Sequence, residues 1–143
     1  MITRTGSARY QGMGKDGRGW VSTQSGVLKD QPYGFNTRFE DGVGTNPEEL
    51  IAAAHASCFT MALSFALARE GISEGTLETE ARVKLDKEGD GFKISRSDLT
   101  LSANVALDEA RLRELAEDAK KNCPVSKLLN AEMTLEVKAQ QPA

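Results

Sequence analysis

From residue 50 to residue 68 the sequence carries no Asp, Glu, Lys or Arg, and this uncharged run constrains the fold more than any other feature. The flanks mark it as a helix. Asn46 suits the N-cap, Pro47 the first helical position, and Glu49 stands where it can reach back in a capping box. Gly71 follows Arg69 and Glu70 as a left-handed stop. The run is long enough to raise the question of a bilayer span. Against that reading, His55, Ser57, Thr60 and Ser64 interrupt it, alanine outweighs leucine, and the remaining sequence has the character of a soluble domain. A helix apolar nearly all round belongs at the centre of a protein, covered on several sides. A chain of 143 residues has few elements with which to cover it, so a second copy is expected to complete the burial in a homodimer.

The length fits one domain spanning residues 1–143. Lys and Arg number 18 against 21 Asp and Glu, scattered without a polybasic run, which argues against a nucleic-acid partner. With 39% hydrophobic and 27% charged residues, the composition is that of a soluble globular protein. The first residues, Met1-Ile2-Thr3-Arg4-Thr5-Gly6, lack the apolar stretch of a secretory signal. The expected location is therefore the cytoplasm, with no membrane partner.

Around the helix the pattern is one of strands. Ser7-Ala8-Arg9-Tyr10-Gln11 and Trp20-Val21-Ser22-Thr23, separated by a glycine-rich stretch, predict a hairpin, and residues 33–39 predict a third short strand. Residues 76–85 and 92–105 predict a long hairpin across the turn Asp86-Lys87-Glu88-Gly89-Asp90-Gly91. Asp108 is positioned to cap a second helix whose apolar stripe is Leu112, Leu115, Ala116 and Ala119. Beyond the break at Asn122-Cys123-Pro124, residues 125–130 predict a short helix and residues 133–137 a last strand. The order predicts an α+β fold with antiparallel β-sheets around the long apolar helix.

The chemistry rests on two cysteines. In a reducing cytoplasm both are thiols at rest, and any pairing there is more often transient than structural. Taken alone, Cys58 in its alanine-rich helix reads as a small core residue. Cys123 lies at the start of a short helix beside Lys120 and Lys121, where amide dipoles and cations favour a thiolate. His55, the one histidine, stands three residues before Cys58 on the same helix face, which allows a cysteine–histidine nucleophile pair. A zinc site using His55 and both sulfurs would still lack a fourth nitrogen or sulfur ligand. No cofactor or metal is expected.

Three segments bring these residues together in a resemblance. The runs Gln31-Pro32-Tyr33-Gly34-Phe35-Asn36-Thr37-Arg38-Phe39, Gly44-Thr45-Asn46-Pro47-Glu48-Glu49-Leu50-Ile51 and Ala54-His55-Ala56-Ser57-Cys58-Phe59, with the later Cys123-Pro124-Val125-Ser126, closely resemble the OsmC/Ohr thiol peroxidases in their osmotically inducible branch. The likeness covers nearly the whole chain. It implies an OsmC-like α+β fold, an intertwined homodimer with the apolar helix at its centre, and reduction of organic hydroperoxides in preference to hydrogen peroxide. It further implies a peroxidatic cysteine at Cys58, a resolving cysteine at Cys123 that closes a disulfide with it, and Arg38 with Glu48 tuning the first sulfur. The implied reductant is a dithiol such as a dihydrolipoyl protein. The need for Arg38 agrees with elementary chemistry: a free thiol is only a few per cent ionised at neutral pH, burial lowers that fraction, and a nearby guanidinium raises it. Glu48, in the first turn, answers the helix dipole and is also free to hold Arg38 in a bidentate pair. Phe35, Phe39, Phe59 and Met61 are candidates to line a pocket for an alkyl group. The rival from another class is a dithiol sensor or carrier that forms the same disulfide without turning over peroxide.

Overall fold

The computed structural model describes residues 1–140, whose contacts cluster in two compact units, Met1–Leu50 and a second beginning at Ile51. In the first unit, strand β1 (Gly6–Gln11) pairs antiparallel with β2 (Arg18–Thr23), and β2 with β3 (Gln31–Tyr33), in the order β1-β2-β3. The third strand expected over residues 33–39 ends at Tyr33. Phe35–Phe39 is instead a short helix, α1. The helical turn wins because Thr37 satisfies its open end: its hydroxyl accepts from the Gly34 N–H at 2.8 Å and donates to the Gly34 carbonyl at 3.0 Å. Phe35 and Phe39, four residues apart, then pack ring on ring with centroids 5.1 Å apart. Asn46 Nδ2 donates to the Thr37 carbonyl at 2.9 Å and ties the helix to the next segment. Gly44, at φ +142°, permits a close approach in which the Thr45 N–H donates to the Pro32 carbonyl at 2.9 Å; a Cβ at position 44 would collide with that carbonyl.

The long helix α2 is Pro47–Arg69. Asn46 Oδ1 accepts from the Glu49 N–H at 2.8 Å, which makes it the N-cap. The reciprocal half of the expected capping box gives way to another contact: the Glu49 carboxylate accepts from the Thr45 hydroxyl at 2.7 Å. At the far end Gly71 has φ +86°, and the Ile72 N–H closes on the Leu67 carbonyl at 3.0 Å. In the second unit the helix buries one stripe, His55, Phe59, Leu63, Ala66 and Leu67. The opposite stripe, with Ala53, Ala54, Ser57, Met61 and Phe65, stays exposed. By length and composition α2 could cross a bilayer, and 22% of its most apolar stretch is buried within the chain.

In the second unit strands β4 (Thr76–Glu88) and β5 (Gly91–Asn104) form the long antiparallel hairpin, and β6 (Glu132–Gln140) lies on the other side of β5. The β5–β6 pair is parallel, which corrects the expectation of purely antiparallel sheets. The physical reason is the intervening pair of helices, α3 (Glu109–Asn122) and α4 (Pro124–Leu128), long enough to carry the chain back across the sheet before β6 begins. Along β5 every second residue, Ser97, Leu99, Leu101 and Ala103, is buried. One apolar cluster joins that face to Phe59, Leu63 and Leu67 of α2, to Leu112, Ala116 and Ala119 of α3, and to Val137 of β6. Asp108 occupies the N-cap position of α3, though its side chain makes no capping hydrogen bond.

Candidate functional site

Cys123 owes its position to Pro124. The residue before a proline is driven out of the helical region; Cys123 has φ −64° and ψ 140°, so it ends α3 and opens α4, with Pro124 in the first turn. Its sulfur accepts from the Ser126 N–H at 3.4 Å and lies 3.0 Å from Ser126 Oγ. The side chain is buried.

Cys58 faces it from α2. Both are free thiols, Cys58 half-buried, and the Cys123 side chain lies near enough to act on the Cys58 proton. Burial pushes the Cys58 thiol above its ordinary ionisation range. A hydrogen bond from the backbone of Val125 opposes this, and the Cys123 side chain pushes it up further. Within its own unit, then, the net pull on Cys58 is toward the protonated, unreactive form.

His55 does not pair with Cys58, although the spacing allowed it. Its two ring nitrogens are taken by serines: Nδ1 is 2.6 Å from Ser97 Oγ on β5 and Nε2 is 2.7 Å from Ser126 Oγ on α4. His55 and Ser97 are fully buried, and burial holds the imidazole below its ordinary value of 6.5. The result is a continuous polar thread, Ser97–His55–Ser126–Cys123, through an otherwise apolar core. Both nitrogens of the ring are thus engaged by serines, not by either sulfur. Among the described residues no cluster of three or more His, Cys, Asp or Glu could hold a metal ion.

Arg38 and Glu48 meet in the first unit. Arg38 Nε donates to Glu48 Oε1 at 2.9 Å and Nη2 to Oε2 at 3.0 Å, a bidentate fork. Glu48 is buried, while the Arg38 side chain keeps 37% of its surface. Arg38 also lines a cavity of about 290 Å³ together with Tyr10, Tyr33, Phe35 and Phe39. Of the four residues considered for an alkyl pocket, Phe35 and Phe39 line this cavity; Phe59 is core at 0% exposure and Met61 lies on the open face of α2 at 61%.

The chain therefore brings its predicted residues together in two pairs, Cys58 with Cys123 and Arg38 with Glu48. Sequence reasoning missed Ser97 and Ser126 as partners of His55, and Tyr10 and Tyr33 beside Arg38. Ser126 stood within the Cys123-Pro124-Val125-Ser126 segment and was there to be found. Ser97, an ordinary inward position on an alternating strand, gave no signal.

Comparison with known proteins gives the family. A family model described as OsmC-like protein matches residues 39–138. The chain is 49% identical over 138 residues to peroxiredoxin OsmC of Escherichia coli strain K12, covering 94% of this chain and 95% of that one. It is 38% identical over 125 residues to the organic hydroperoxide resistance protein OhrB of Bacillus subtilis, covering 84% and 89%. The crystal structure of an organic hydroperoxide resistance protein from Elizabethkingia anophelis superposes with a TM-score of 0.79 at 25% identity, over 98% of each chain. With an α+β architecture shared with such structures and a family match over most of its length, the chain belongs to the OsmC-like proteins.

Proposed function

We propose that this chain reduces organic hydroperoxides, with Cys58 as the attacking thiolate, Cys123 as the resolving thiol, and Arg38 and Glu48 as the pair that keeps the first sulfur ionised. It is a cysteine-based peroxidase, the reading that its relatives named peroxiredoxin and organic hydroperoxide resistance protein support. The observation that carries the mechanism is the approach of two free thiols, from α2 and from the start of α4, near enough for one to act on the other's proton.

The Cys58 thiolate attacks the terminal peroxide oxygen; the O–O bond breaks, the sulfur is oxidised to a sulfenic acid, and the alkoxide leaves and takes up a proton as the alcohol. A guanidinium at this point serves both the sulfur charge and the charge growing on the departing oxygen. Glu48 grips Arg38 on one side through two hydrogen bonds and so fixes the plane in which the remaining donors point. The Cys123 thiol then displaces water from the sulfenic sulfur and closes the Cys58–Cys123 disulfide. An external dithiol, for which a dihydrolipoyl protein is the expected source, restores both thiols by exchange. The aromatic cavity beside Arg38 suits an alkyl or aryl group better than the second hydrogen of hydrogen peroxide, which favours organic substrates.

The working form is an intertwined homodimer in the cytoplasm, in which residues 1–143 act as one domain. The exposed apolar stripe of α2, with Met61 at 61% and Phe65 at 60% exposure, is the surface that a second copy would cover. Treatment with one equivalent of cumene hydroperoxide followed by mass spectrometry tests the mechanism. The intact chain should yield a Cys58–Cys123 disulfide, and Cys123→Ser a sulfenic acid trapped on Cys58. Oxidation confined to Cys123 would reverse the roles. With hydroperoxide and dithiol both in excess, consumption that stops after one equivalent would identify a sensor instead of an enzyme.

A further inference from the structure

The thread that ends at Cys123 has no part in the peroxide-cleaving step, yet it is built of polar groups in the most protected region of the second unit. His55 and Ser97 have no exposed surface, and Ser126 only 6%. Burying a histidine costs stability that burying an apolar residue would not. The partner on Nε2, Ser126 Oγ, is itself bonded to the sulfur that must lose a proton.

We infer that Ser97, His55 and Ser126 form a proton relay that deprotonates Cys123 for closure of the disulfide. The inference rests on the peroxidase reading above. Ser126 touches the reacting sulfur, and His55 acts through it as a positioning residue whose orientation Ser97 fixes. With His55 Nδ1–H donating to Ser97 Oγ, Nε2 is left as the acceptor. The Cys123 thiol donates its proton to Ser126 Oγ as the Ser126 hydroxyl donates to Nε2. The Cys123 lone pair then forms the S–S bond with the Cys58 sulfenic sulfur, and the S–O bond breaks. Cys123 is oxidised and the Cys58 sulfur reduced by one unit each. The expelled hydroxide takes up the displaced proton as water, leaving His55 neutral again. No reagent enters beyond the hydroperoxide that made the sulfenic acid.

Burial favours the neutral imidazole, the form in which one ring nitrogen is an acceptor. The groups facing the thread are Ser97 from β5, Ser126 from α4, and Cys58 and Cys123 at its sulfur end. No Asp, Glu, Lys or Arg is among these groups. The wild-type closure rate is therefore expected to be flat over the range in which His55 stays neutral.

The experiment is rapid-quench mass spectrometry of the full chain after one equivalent of cumene hydroperoxide, following sulfenic acid and disulfide separately, on wild type, His55→Gln and Ser126→Ala at several pH values. General base catalysis of this kind contributes about 10²–10⁴-fold. In both variants sulfenic acid on Cys58 should accumulate, closure should slow at least about a hundredfold at pH 7, and its rate should rise about tenfold per pH unit as hydroxide replaces the relay. Ser126→Ala removes one oxygen and keeps the question open to test should His55→Gln fail to fold. Closure in Ser126→Ala as fast as in wild type would overturn the relay and leave the peroxidase reading intact. Slow closure with a flat pH profile would also overturn it, by pointing to misplacement of Cys123. Failure of the wild type to form either a sulfenic acid on Cys58 or the Cys58–Cys123 disulfide would overturn the peroxidase reading and the relay with it.

Discussion

Glu48 holds Arg38 edge-on through two nearly equal hydrogen bonds, Nε to Oε1 at 2.9 Å and Nη2 to Oε2 at 3.0 Å. The carboxylate comes from the first turn of α2 and the guanidinium from α1, whose Thr37 carbonyl accepts from Asn46, the N-cap of the long helix. Such a fork spends two of five donors and leaves the others directed in a fixed plane.

Loss of the guanidinium should be read in the pH dependence of peroxide reduction. Burial already raises the Cys58 thiol, and Cys123 raises it further; the thiolate is the reactive form. In Arg38→Met the second-order rate with cumene hydroperoxide at pH 7 should fall about 10- to 1,000-fold, the range that a nearby guanidinium's 1–3 pKa units imply. The deficit should shrink as pH rises, because hydroxide then supplies the ionisation that the cation had favoured. A loss of rate that is the same at every pH would show that Arg38 has no hold on the Cys58 proton.

The ion pair itself should be worth little to stability. Arg38 keeps 37% of its side-chain surface, so solvent screens the attraction, and a double-mutant cycle of Arg38→Met and Glu48→Gln by urea unfolding should give a coupling of about 0.2–1 kcal/mol. Glu48→Gln should nonetheless reduce peroxidase activity several-fold by loosening the guanidinium plane. Activity unchanged in Glu48→Gln would reduce the pair to a helix-terminus contact.

What the sequence disclosed and what it hid follow from the range of the interactions involved. The limits of α2 were legible because Asn46, Pro47 and Gly71 act locally, within one turn of the residues they cap. The α1 helix was hidden because Phe35-Asn36-Thr37-Arg38-Phe39 has the aromatic and β-branched character of a strand, and the hydrogen bonds that decide for helix come from Thr37 and the distant Asn46. The direction of β6 was hidden too, since alternation fixes which face is buried and says nothing of parallel or antiparallel pairing. In the site, residue types announced a dithiol, but the meeting of Cys58 with Cys123 came from resemblance. The thread through Ser97 came only from the coordinates, which join residues 42 and 71 positions apart from either side of one imidazole.

The open stripe of α2 offers a test of assembly. Met61 and Phe65 stand four residues apart on α2 with about three-fifths of their surface exposed. In Met61→Glu/Phe65→Glu, sedimentation should show a monomer where the wild type sediments as a dimer, because two carboxylates cannot be desolvated without partners. A wild-type chain that is monomeric at all concentrations would remove the homodimer from the proposed function.

The buried histidine predicts an acid weakness. His55 is held below 6.5 by burial, so between that lower folded value and 6.5 the unfolded chain binds a proton that the folded chain refuses. Stability therefore rises with pH across this window: its full contribution is present above about 6.5 and is lost as pH falls through the folded value. Urea midpoints measured from pH 7.5 down to 5 should decline in wild type, and the decline should be shallower in His55→Gln, which has nothing to protonate there. The sign is the critical outcome. A wild-type midpoint that rises on acidification over this range would mean that the folded protein welcomes the charge, and that His55 is neither as dry nor as neutral as its contacts with Ser97 and Ser126 require.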